Sequence, residues 1–192
     1  METLPFQRRR WTRKEYDRLG ELGIFRPGEP VELIASQLIV SEPKGSPHAT
    51  AVGLTADALR VAFGAGWTVR VQDPVALDEE SEPEPDVVVV SGDRRDYRDA
   101  HPSHAAVLVE VADSSLAFDR EEKASLYARA GVLDYWIVNL VDRALEVHRE
   151  PVPDASVPLG WRYAAVDVLS PGTTVSPLAR PKARLAVADL LP

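Results

Sequence analysis

Two apolar runs in this 192-residue chain each carry one carboxylate, Asp86 in PDVVVV and Glu110 in VLVEVA, and the helix-forming segment that follows carries Lys123. A carboxylate among β-branched residues is costly to bury unless something pairs with it. A divalent cation could do so, and so could an ammonium group. If the two runs are neighbouring strands, Asp86 and Glu110 can point to the same edge of the fold. Two carboxylates a few ångströms apart repel, which raises one pKa unless a cation lies between them. Oxygen-only ligation of that kind suits Mg²⁺ or Mn²⁺, completed by water and a main-chain carbonyl such as that of Val111. Lys123, one turn from both Asp119 and Tyr127, could stabilise an attacking hydroxide or the charge developing on a phosphate. The spacing also fits a plainer arrangement, with Asp86 at a solvated strand start and Asp119–Lys123 as a surface ion pair. Glu110 fits that plainer picture least, because its run is otherwise apolar.

Weaker candidates surround these three. Glu32 sits in VELI, at the start of a hairpin, where a solvated strand end would serve as well. His48 lies in the first turn of a helix, where a protonated imidazole gains nothing from the helix dipole. A neutral hydrogen-bonding role and a structural one both fit it. His101 and His104 flank Pro102 in a surface turn. Ser114-Ser115 lacks the strand–turn–helix elbow of a serine nucleophile, and Gly64-Ala65-Gly66 is too sparse for a phosphate-binding loop.

The elements that must position these residues can be read from pattern. Thr12 with Glu15 is a capping box that opens a short helix through about Leu19. Val31 to Ile34 and Gln37 to Val40 read as a hairpin around Ala35-Ser36, a turn without the favoured Asn-Gly or Asp-Gly pair. Ser46-Pro47 starts a helix that Gly64 ends. Strands are expected at Trp67–Gln72, Val87–Val90, Ala106–Val111, Leu133–Asn139, Ala144–Arg149 and Trp161–Val166, with a short edge strand at Val75–Leu77. Two short strand pieces are expected near Thr173–Ser176 and Ala183–Val187. Residues 78–85 form an acidic, proline-broken loop, and 92–103 a surface loop with a helical turn. Asp119 to Ala130 is a helix capped by Gly131. The continuous apolar runs mark central strands covered on both faces, and the order of elements gives an α/β fold built on a central sheet.

Composition bounds the rest. A 45% apolar content in 192 residues is enough for one domain over 1–192 with a substantial core. With no cysteine, disulfides and thiolate metal sites are excluded, which suits a reducing, cytoplasmic setting. No apolar run reaches membrane-spanning length, and no secretory signal opens the chain. The net charge of −8 argues against a generic polyanion binder. The one dense basic cluster is Arg8, Arg9, Arg10, Arg13 and Lys14, and residues 1–11 read as a flexible basic arm. Tyr135-Trp136 and the other tryptophans could supply the apolar face of a homodimer.

The run PDVVVV…VLVEVADSS…FDREEKASLYARAGVLDYWIVN resembles the Uma-two family of bacterial proteins, within the PD-(D/E)XK restriction-endonuclease-like superfamily. The resemblance extends upstream through VELI and His48, downstream through LEVHRE, and so over most of the chain. It implies a restriction-endonuclease-like mixed central β-sheet with flanking helices and an additional N-terminal hairpin. It also implies a Mg²⁺- or Mn²⁺-dependent endonuclease site acting on DNA. On this resemblance Asp86 and Glu110 are the acidic metal ligands, and Glu32 is an N-terminal acidic residue that assists metal or water. The superfamily lysine, absent at Ala112, falls on Lys123. His48 and Tyr127 match recurring positions and are assigned to substrate binding. The chain departs from the family pattern at ELIASQLIV, at Asp113, and at Asn139. An inactive nuclease-fold module that binds nucleic acid or a partner protein is the alternative, and the acidic charge and Asp113 favour it. Chemistry on a small phosphorylated substrate is a third reading.

Overall fold

The two valine-rich runs lie side by side at the centre of a six-stranded sheet. The computed structural model describes residues 8–41 and 44–192. In chain order the sheet strands are β3 (Trp67–Val71), β4 (Val87–Ser91), β5 (Val107–Ala112), β6 (Asp134–Asn139), β7 (Ala144–Pro153) and β8 (Trp161–Leu169). They stand in that same order across the sheet. Every neighbouring pair is antiparallel except β5–β6. A parallel pair needs a crossover long enough to return the chain, and a helix spanning 116–129, α3, supplies it. An N-terminal hairpin, β1 (Val31–Ile34) with β2 (Gln37–Val40), stands apart from the sheet.

Alternation along the strands sends two sets of side chains to two cores. Val87, Val89, Val109, Val111, Trp136 and Val138 pack against the helix α2 (Ser46–Phe63) through Val52, Ala56, Leu59 and Phe63. Leu108, Tyr135 and Ile137 pack on the opposite face against Leu126, Tyr127 and Ala128 of α3. Coverage on both faces explains why β4 and, apart from Glu110, β5 read as apolar runs. Tyr135 and Trp136 are fully buried, so their apolar surface is used inside the fold. No helix among the described residues is long and apolar enough to cross a membrane.

Helix α1 (Arg13–Glu21) opens with the expected capping box, Thr12 and Glu15 each bonding the other's backbone N–H. The expected hairpin forms with Ala35 and Ser36 both at positive φ, 48° and 68°. Neither residue favours that conformation. Tertiary bonds hold it: Ser36 N–H donates to the Glu80 carbonyl, Trp11 N–H to that of Ser36, and Ala35 N–H to the Ser81 hydroxyl. Arg9, Arg10 and Arg13 of the basic segment pair with Glu15, Glu80 and Glu79. Residues 1–7 of the expected arm lie outside the described part.

The edge strand expected at Val75–Leu77 does not form. Val75 and Ala76 donate to the carbonyls of Pro83 and Pro102 instead. Pro74, Pro83 and Pro85 carry no N–H, which leaves no ladder to continue. The chain after β8 returns across α2 through β9 (Thr174–Val175), β10 (Leu185–Ala186) and a 3₁₀ turn at Val187–Leu190. Asp134, fully buried at the start of β6, ties this tail to the sheet. It accepts 2.8 Å bonds from Trp136 Nε1, Arg149 Nε and the Leu178 N–H. Removing it strands a guanidinium and two N–H donors. Asp134→Ala is expected to lose about 3–5 kcal/mol of folding stability, read as a lower urea midpoint.

Candidate functional site

Asp86 precedes β4 and Glu110 lies on β5, in the register that pairs Val87 with Val109. That register continues to set Asp86 opposite Glu110, and the Asp86 N–H donates to Glu110 Oε2 at 3.3 Å. From the other side, α3 is interrupted: between α-helical Leu116–Phe118 and Ala124–Arg129 runs a π-helical stretch, Asp119–Lys123. The wider turn of such a stretch re-aims the side chains on it, and both Asp119 and Lys123 are buried. Lys123 Nζ lies 3.0 Å from Glu110 Oε1 and 3.3 Å from Glu32 Oε2. Tyr127 OH donates to the same Glu110 oxygen at 2.6 Å. The hairpin brings Glu32 into place, where it also accepts from Ser41 Oγ and the Glu84 N–H.

Asp86 is equally occupied. Its Oδ2 accepts from His48 Nε2 at 3.0 Å and from the Val111 N–H at 2.9 Å. Its Oδ1 accepts from Lys44 Nζ and from Gln72 Nε2. Six of the sequence-derived residues therefore converge: Glu32, His48, Asp86, Glu110, Lys123 and Tyr127. Lys44 and Gln72 also belong to this site and were not among the sequence candidates. They follow β2 and β3 in loops, at no fixed spacing from the carboxylate they bind. A cavity of about 480 Å³ opens beside these groups, with Lys44, His48, Asp113, Ser114 and Ser115 also on its wall.

The electrostatics follow from burial and from the imbalance of charge. Burial would raise the Asp86 carboxyl, but the His48 bond and the Lys44 charge outweigh it and hold the group well below the usual carboxylate range. An ionised Asp86 can only accept, so His48 must present Nε2–H to it. Burial pushes Glu110 up to about 8, with Lys123 opposing the rise and Asp86, Asp119 and Glu32 adding to it. Burial would lower Lys123, yet Glu110, Glu32 and Asp119 together carry it well above the ordinary lysine value. Both partners thus hold protons tightly, as a cluster with more carboxylates than cations requires. An ammonium so held is a counter-ion; it cannot take a proton from water.

The expected Mg²⁺ or Mn²⁺ at Asp86, Glu110 and Val111 is overturned by this arrangement. Among the described residues, no three His, Cys, Asp or Glu side chains come together in a way that could hold a metal ion. The reason is occupancy by the protein's own donors. Lys123 lies between Glu32 and Glu110 where a bridging cation would sit, and four N–H donors surround Asp86. Val111 meets Asp86 through its N–H, whereas metal ligation had been expected from its carbonyl. Asn139 has a local explanation as well. Its amide donates to Glu146 Oε1 at 2.7 Å and to Asp142 Oδ2 at 2.9 Å, where an aspartate would repel both.

Two outcomes are expected from this lattice. Lys123→Met leaves Glu32 and Glu110 buried without their shared cation and is expected to cost about 3–5 kcal/mol, measured by urea unfolding. The second concerns pH. The folded chain holds a proton on Glu110 that an unfolded chain releases near 4.5. Stability from this group is therefore full below about pH 4.5 and is lost as pH rises towards about 8. Glu110→Gln keeps an acceptor oxygen and removes the titration. Its urea midpoint should fall less than that of the parent between about pH 5 and about pH 8.

The comparisons with known proteins agree with this geometry at the level of fold and family. A family model described as "Uma2: Putative restriction endonuclease" matches residues 13–188. A solved structure of a "putative nuclease belonging to DUF820" from Anabaena variabilis ATCC 29413 superposes with a TM-score of 0.65. The two are 14% identical, over 90% of this chain and 96% of that one. No curated protein matches. The Anabaena structure shares this fold, and the family model's span over nearly the whole chain places this chain in the Uma2 family.

Proposed function

We propose that this chain is a nuclease-fold module that binds a ligand without cutting it, and that the ligand is a partner protein. The observation that carries the first half is the saturation of Asp86 and Glu110 by internal donors. A hydrolytic site needs a group free to activate water or to meet the charge that develops on phosphorus. Here the lysine that resemblance assigns to that task is committed to two carboxylates. Asp86, Glu110, Lys123 and Glu32 then serve as a buried framework, and His48 and Tyr127 as positioning residues that fix the carboxylates.

Charge supports the second half. The chain carries a net −8, its cavity wall adds Asp113 to the buried acids, and Arg9, Arg10 and Arg13 are each paired with a glutamate. Phosphate binding draws its affinity from unpaired cations, and the two lysines on the cavity wall, Lys44 and Lys123, are already paired with Asp86, Glu110 and Glu32. Nucleic acid held without cleavage is the second reading, favoured by the nuclease descriptions of the family and of the Anabaena protein.

Supercoiled plasmid incubated with pure protein and a divalent cation tests the proposal, beside Asp86→Asn and Lys123→Ala proteins. Plasmid left intact by all three is the expected outcome. Cleavage by the parent that both variants lose would overturn it. A labelled duplex is expected to show no saturable anisotropy change at about 0.15 M salt, and saturable binding there would favour the second reading.

A further inference from the structure

Helix α2 carries an exposed apolar stripe that borders the face it packs on the sheet, with Ala58 common to both. Leu54, Ala58 and Val61 recur at helical spacing, and Val61 is 87% exposed and Leu54 37% exposed. The C-terminal segment 179–185 lies alongside and, with Ala58, Val61 and Ala62, encloses a groove of about 690 Å³. Its floor is small and apolar, and no carboxylate lines it.

Its rim is cationic. Among the described residues, Arg180, Lys182 and Arg184 form no ion pair with a carboxylate, although the chain as a whole is acidic. Neutral groups hold two of the three in place. Arg180 Nη2 donates to the Phe63 carbonyl at 2.7 Å, and its guanidinium lies 5.5 Å above the Trp67 ring. Arg184 Nη1 donates to the Pro181 carbonyl at 3.0 Å and to Ser176 Oγ. Fixed, uncompensated cations around an exposed apolar stripe form a surface pre-organised for an acidic, amphipathic ligand.

We infer that the groove between the C-terminal half of α2 and residues 179–185 docks an acidic amphipathic helix of a partner protein. Apolar side chains at i, i+3, i+4 and i+7 of that helix cover Val61 and Ala58, and its flanking carboxylates meet Lys182 and the outer edges of Arg180 and Arg184. A nucleic acid fits the charge but not the floor. Bases would find alanine and valine where they need stacking platforms, because Arg180 already covers Trp67. The inference rests on reading the chain as a protein-binding module and gives that module its face.

The probe is a synthetic helix with leucine at i, i+3, i+4 and i+7 and glutamate elsewhere, set beside a counterpart with lysine in place of glutamate and a single-stranded oligonucleotide. Saturable binding of the glutamate peptide is expected, with amide shifts confined to 54–65 and 179–185. Val61→Asp and Lys182→Glu, both at the surface, should each weaken it about tenfold or more at an unchanged melting temperature. Absence of binding, equal binding of the lysine peptide, shifts elsewhere, indifference to both substitutions, or tighter binding of the oligonucleotide at the same amides would each overturn the inference. DNA cleavage by the parent protein would instead overturn the non-cleaving reading, and the peptide titration is independent of it.

Discussion

An ammonium group seated between two buried carboxylates organises this molecule. Lys123 reaches Glu110 on the sheet and Glu32 on the hairpin from a helix that belongs to neither. A lone buried charge costs several kcal/mol, so Lys123 and Glu32 depend on each other, and Glu110 is ionised in place only with the ammonium beside it. That requirement constrains backbone geometry at three separate places. The hairpin must dock against residues 80–84, β4 and β5 must hold one register, and α3 must turn wide enough through its π-helical stretch to bury both Asp119 and Lys123. The positive-φ turn at Ala35-Ser36 is one visible consequence. The turn is locally unfavourable, and the bonds that retain it also keep Glu32 in the cluster.

The same constraint supports the proposed absence of cleavage. A site built for hydrolysis keeps some of its polar capacity unspent until substrate arrives, because groups already paired in the ground state gain little in the transition state. Here Asp86 accepts from four donors and Glu110 from three. Buried ionic clusters of this kind contribute little net stability relative to apolar packing. What they do provide is discrimination, since any shifted register or undocked hairpin leaves a charge unpaired.

Much of this was legible in the sequence, and the failures have physical causes. The capping box, the hairpin limits and α2 were readable because they depend on local chemistry: a side chain bonding its own first turn, a proline at a helix start, glycine after its end. The central strands were readable because coverage on both faces leaves an unbroken apolar run. Val75–Leu77 misled because its apolar content is spent on burial, while the prolines around it remove the ladder donors. The carboxylates could be found because a charge in an apolar run is conspicuous. What neutralises them could not, because Lys44 and Gln72 lie in loops whose spacing from Asp86 follows no period. A lysine and a metal ion also answer the same sequence pattern. The choice between them depends on whether α3 carries Lys123 inward, which rests on a π-helical stretch with no signature among the residues 119–123.

Helix α2 links the two ends of the molecule through its own electrostatics. Its first turn, with His48, faces the ionised Asp86, and its last carbonyl, at Phe63, receives Arg180. Each charge lies at the pole of the helix dipole that stabilises it. With about 1.5 Å of rise per residue, the acidic cluster and the cationic groove stand on the order of 20 Å apart. The acids at one pole are sealed by internal donors. At the other, Arg180 and Arg184 are fixed by carbonyls, an aromatic ring and a hydroxyl, none of which cancels their charge. A net-acidic fold whose buried carboxylates are occupied by internal donors, and whose Arg180, Lys182 and Arg184 meet no carboxylate among the described residues, has its capacity for an external ligand at the cationic pole.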